Sequence, residues 1–131
     1  MNKNALCVLR FGLAITFLWI GVLILQSPMS WGMMMQPWAA ALLPVPLIPA
    51  MQATAVLDIL IGVCLALNIF VPLAALLGAL HLVSVLIVTG ITGITVRDLG
   101  LLGAASALFL ETSQSILKRR AWMDFLSPKK R

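Results

Sequence analysis

Apolar residues gather in four long runs, at about residues 6–25, 49–69, 71–90 and 98–117, with polar residues thinly placed inside them. A bilayer core about 30 Å thick needs roughly 20 such residues per helix. Each run can satisfy its own backbone hydrogen bonds as a helix, which hydrocarbon requires. The pattern therefore predicts an all-α membrane protein, a four-transmembrane-helix antiparallel bundle. Runs two and three are joined by NIFVP (residues 68–72), and runs three and four by GITGIT (residues 90–95). Links this short make consecutive helices antiparallel neighbours. The long link, residues 26–48, holds no charge but carries Pro28, Pro37, Pro44 and Pro46 with Trp31 and Trp38. Proline breaks helices and tryptophan favours the membrane–water interface, so an outer proline/tryptophan-rich cap is expected, with a short helix at residues 37–43.

Composition supports this reading. The chain of 131 residues is 62% hydrophobic and 10% charged, against about 25% charged in ordinary soluble domains. A membrane domain over residues 1–117 and a basic tail over 118–131 are expected. The first run resembles a signal peptide but is long and lacks a small-residue cleavage site, so it is read as a retained span. Net charge is +5, with Lys118, Arg119, Arg120, Lys129, Lys130 and Arg131 after the last run and Lys3 and Arg10 at the first. Basic flanks mark the cytoplasmic side, which places both termini there in a cell (inner) membrane. The lipid bilayer is the expected partner, with anionic lipids at the tail. Nucleic acid is not, because lipid is the nearer polyanion. Trp122 and Phe125 suggest a short amphipathic helix on the inner leaflet.

Candidate chemistry rests on a few polar residues. Asp58 and His81, the only histidine, lie twelve and eleven positions either side of residue 70. At ~1.5 Å per residue both sit roughly 15–18 Å from the turn, near mid-membrane. The same arithmetic about residue 93 brings Ser106 to this depth, and Thr16 joins it from the first run. Small residues on the stripes of His81 (Ala74, Gly78), Ser106 (Gly103) and Asp58 (Ala55, Gly62) turn these groups inward. Asp58, His81, Ser106 and Thr16 are thus the candidate ligand-binding residues. A helix-locking contact is the structural alternative to a proton-handling or ligand-gripping site. The depth match gives a Ser106–His81–Asp58 triad no nucleophile geometry, so no catalytic residue is assigned.

Arg10 and Glu111, in the inner thirds of runs one and four, either pair or extend to the interface. Asp98 suits a helix N-terminus, and Arg97 beside it faces the cap. One histidine cannot ligate a b-type haem from both sides, and no Cys/His cluster has zinc spacing, so no metal site is expected. Cys7 and Cys64 form no close pair for thiol–disulfide chemistry. Met33, Met34 and Met35 are read as apolar packing, with soft Cu(I) as the rival.

Three segments carry a family resemblance. RFGLAITFLWIG (residues 10–21), LDILIG (57–62) and VRDLGLLGAA (96–105) resemble the first-, second- and fourth-span motifs of the DoxX-like (DoxX/DoxD) small integral membrane proteins. Asp58 stands where that family more often has glutamate, and Ile24 where many members have lysine. His81 lies outside the motifs. The resemblance implies a four-helix bundle and links to quinone-dependent oxidation, as in the small subunit of thiosulfate:quinone oxidoreductase. It thus implies the membrane subunit of a quinone-linked oxidoreductase system, with a quinone as cofactor and a membrane or peripheral oxidoreductase subunit as partner. The alternative is a non-catalytic membrane scaffold or assembly protein for a partner complex. A solute pathway would require a homo-oligomer.

Overall fold

The computed structural model describes residues 2–126, with side chains to residue 118. The described residues form six helices and no strand: α1 (Lys3–Gln26), α2 (Pro28–Gly32), α3 (Pro37–Ala41), α4 (Leu47–Ala66), α5 (Val71–Thr89) and α6 (Val96–Leu126). α1, α4 and α5 are long and apolar enough to cross a membrane. Their outer faces are apolar as well, with Ile15, Trp19, Leu60, Leu80 and Ile87 exposed. An exposed apolar surface this extensive is stable in lipid and unstable in water, so the architecture is that of a membrane protein.

The fourth expected run lies inside α6, whose second half carries Glu111, Thr112, Ser113, Gln114 and Ser115. α6 continues from the expected boundary at residue 117 to Leu126, so residues 118–126 prolong the helix. The side chains of Arg119, Arg120, Trp122 and Phe125, and residues 127–131, lie outside the described residues.

The long helices close a ring: α1 packs most extensively on α4, α4 on α5, α5 on α6, and α6 back on α1. Two glycines set the α1–α4 distance. A Cβ on Gly21 would meet the Ala55 carbonyl oxygen at 2.9 Å, and one on Gly62 would meet the Leu18 nitrogen at 2.9 Å. Backbone atoms cannot step aside as a rotamer can, so the two helices need glycine at their contact. Below this contact Leu13, Phe17, Ile61, Leu65, Leu82 and Leu108 form the main core. Ile24, Met51 and Ala55 form a smaller cluster, with Trp31 and Met35 packed against it.

The α4–α5 turn is as tight as expected. Asn68 and Phe70 take left-handed conformations (φ 61° and 48°), and the Ile69 N–H returns to the Cys64 carbonyl at 2.9 Å. Arg10 reaches across from α1 and donates to the Leu65 and Ala66 carbonyls, the latter at 3.2 Å. These carbonyls lie in the last turn of α4, and the Leu65 oxygen also accepts from the Asn68 N–H at 3.3 Å. Arg10 also lies 4.6 Å from the Phe11 ring centroid, an arrangement that favours a cation over an aromatic face.

In the long link, α3 falls within the helix expected at residues 37–43, and α2 is additional. Ser27 followed by Pro28 starts α2, since proline at the first turn gives up an N–H that had no helical partner. Gly32 packs against Leu47. The Gln36 backbone N–H donates to the Val88 carbonyl at 2.8 Å, and its Nε2 to the Thr89 carbonyl at 3.2 Å. The link is thereby tied to the end of α5.

Candidate functional site

The tight α4–α5 turn holds two antiparallel helices in register, so residues equidistant from it meet. Asp58 Oδ1 lies 3.1 Å from His81 Nε2. Asp58 is 3% exposed, and no donor is directed at Oδ1 among the described residues. The contact is therefore an ion-pair distance without hydrogen-bond alignment, and a buried carboxylate oxygen keeps an open acceptor position. Such an oxygen costs folding free energy unless something else meets it. Gly78, one turn before His81, leaves room for the Phe17 ring, which a Cβ there would meet at 2.9 Å.

Asp58 and His81 lie on the wall of a cavity of about 410 Å³. The size falls within the range of small-ligand sites. Its wall is mostly apolar, with Phe17, Ile20, Trp31, Leu82 and Leu101 among the lining residues. The hydroxyls on the wall are largely committed to backbone. Thr16 donates to the Gly12 carbonyl at 2.9 Å, Thr54 to Ala50 at 3.1 Å, Ser84 to His81 at 2.7 Å and Thr89 to Val85 at 2.6 Å. What remains to address a ligand includes two ionisable pairs, Asp58 with His81 and Asp98 with Arg97.

The candidate residues thus separate. Asp58, His81 and Thr16 are brought to one cavity, and Ser106 is not among its lining residues. The packed face of α6 runs through Asp98, Ala105 and Leu108, while Gly103 is exposed with open space around it. Gly103 is therefore turned away from the packed face, and Ser106 is half-buried beside Ala105 without reaching the cavity wall. Depth fixes the level of a side chain but not the rotation of its helix.

Asp98 lies in the first turn of α6, where a carboxylate suits the helix N-terminus. Thr92 organises the start of α6: its hydroxyl oxygen accepts from the Ile94 and Thr95 N–H groups at 3.2 and 3.1 Å, and its carbonyl accepts from Val96 N–H at 2.9 Å. Asp98 turns into the cavity, 6% exposed, with Oδ1 3.5 Å from Arg97 Nε. Arg97 also lines the cavity, and its side chain is half exposed. Arg10 is bound at the opposite end of α4, away from the cavity, and Glu111 is half-buried on α6.

Trp31, expected at the membrane–water interface, lines the cavity, and Met34 and Met35 line it with Trp31. Met33 is 72% exposed and is not on the wall, so the three neighbouring thioethers do not face one point. The signal for these cavity residues was their place in a link that must cross the open ends of the helices. No family model, curated protein or solved structure matches this chain.

Proposed function

We propose that the chain is a DoxX-like inner-membrane subunit of a quinone-linked oxidoreductase system, and that its cavity receives the quinone ring. In this reading α6 is a fourth span and both termini are cytoplasmic. The link between α1 and α4 then caps the outer side. The basic residues at both ends support that orientation. The single observation that carries the function is the Asp58–His81 pair on the wall of an apolar cavity.

The residues suit such a ligand. Phe17, Trp31 and Leu101 offer flat apolar surface to a ring, and the imidazole offers a donor to a carbonyl oxygen. A bound quinone supplies a two-electron, two-proton acceptor, its electrons coming from a partner dehydrogenase. The chain's own part is to orient the ring, exclude bulk water and hold a proton at Asp58 Oδ1 or His81 Nε2. Histidine and a neighbouring carboxylate are suited to this, because together they hold a proton without requiring bulk water.

Binding of a short-chain quinone to the purified protein in nanodiscs tests the proposal. Loss of a hydrogen bond to a charged partner costs about 1.5–3 kcal/mol. His81→Ala, which removes the donor to a quinone carbonyl, should therefore weaken binding by roughly tenfold or more, and Asp58→Asn, which leaves the imidazole without its carboxylate neighbour, is measured beside it. Equal affinity in wild type and both variants removes these residues from the role. Co-purification with a partner complex but no quinone affinity favours a scaffold.

A further inference from the structure

Asp98 is a buried carboxylate in the first turn of α6, where the helix dipole favours it, and its side chain faces the cavity. The Thr92 hydroxyl orders the turn before α6 by accepting from the Ile94 and Thr95 N–H groups. The Arg97–Asp98 contact joins neighbours in sequence, so it fastens no helix to another. On a helix such neighbours do not normally face each other, and the pair adds little to the fold. Yet Asp98 is as deeply buried as the core and lines the same cavity as the unpartnered Asp58 oxygen. It lies within electrostatic reach of both Asp58 and His81.

Asp58 and His81 are enclosed, and Arg97 is half exposed. The ionisable groups on the cavity wall are Asp58 from α4, His81 from α5, and Arg97 and Asp98 from α6. The other lining residues, from α1 and the link to α4, are uncharged. Asp98 is therefore the carboxylate that shares the cavity wall with the enclosed pair and contacts a half-exposed side chain.

We propose that Asp98 is a proton-relay residue, connecting the Asp58–His81 pair with water on the side of the bundle where α5 turns into α6. Its carboxylate takes a proton from water beside Arg97, passes it through the cavity to the pair, and returns to the carboxylate form. The Arg97 side chain, 3.5 Å away, favours the return to the carboxylate form. The inference deepens the quinone reading, because reducing a ring in the cavity consumes protons there.

His81 is the only histidine, so its imidazole nitrogen resonances report one site. With 15N-histidine protein in nanodiscs and no quinone, Asp98→Asn should slow exchange of the imidazole proton with water by about a hundredfold, within the range of a positioned acid–base group. Asp98→Glu should restore most of the wild-type rate. Unchanged exchange in Asp98→Asn overturns the proposal. Wild-type protein in oriented proteoliposomes gives a test independent of any variant's folding. A pH jump on the α5–α6-turn side should move the His81 resonances promptly, and one on the opposite side should not. Prompt response only from the opposite side also overturns it. Exchange governed by Asp98 in a protein with no quinone affinity sinks the quinone reading alone. Quinone affinity with Asp98-independent exchange sinks the relay alone.

Discussion

Replacing Gly62 with valine is expected to pull α1 away from α4 and cost about 3 kcal/mol, the upper part of the usual range for overpacking. A Cβ at this position lies 2.6 Å from Leu18 Cγ, 2.9 Å from the Leu18 nitrogen and 3.0 Å from the Ala14 carbonyl oxygen. Two of these three atoms are backbone, so relief requires movement of a whole helix. The α1–α4 contact is the most extensive in the bundle and carries Thr16, Phe17 and Asp58 to the cavity. The same substitution at Gly103, where nothing lies within 4 Å, should change stability by less than about 0.5 kcal/mol. The midpoint of denaturation by dodecyl sulfate in bicelles reads both. Equal midpoints for the two variants would mean that the helices do not approach as closely as described.

Removing one member of the buried pair should cost more than removing both. His81→Leu leaves the Asp58 carboxylate enclosed without its imidazole neighbour, and breaking a buried pair in this way costs about 3–5 kcal/mol. Leucine at both 58 and 81 removes the ionisable groups together and fills the space with hydrocarbon, which is often neutral or stabilising. The cycle of two single variants and the double variant isolates the coupling. Its expected value exceeds the roughly 0.6 kcal/mol average of polar contacts in membrane bundles, because the carboxylate has no hydrogen-bond donor among the described residues to replace histidine. Additive single effects would show that the two side chains do not depend on each other.

Much of this arrangement was legible before any coordinates. Asp58 and His81 are equidistant from a turn too short to allow slippage, so counting residues brings them together. Apolar runs of the right length mark α1, α4 and α5, because lipid imposes that length. The count failed for Ser106, since α6 rotates its Asp98–Ala105–Leu108 face inward, and rotation depends on packing that a single helix does not record. Asp98 lies in the first turn of α6, where a carboxylate suits the helix dipole, and its turn into the cavity depends on the same packing, which one helix does not record. The cavity itself was not legible. It is closed by Trp31, Met34 and Met35 from an uncharged link whose path is set by two hydrogen bonds from Gln36 to the end of α5.

The central claim is that a quinone ring enters this cavity, and photo-crosslinking with an azido-quinone in native-like membranes tests it most directly. Peptide mapping should find the label on cavity residues such as Phe17, Trp31 and Leu101. An excess of unmodified quinone should suppress that labelling. Label confined to outward-facing residues such as Trp19, Leu60 and Leu80, and indifferent to competitor, would contradict the account.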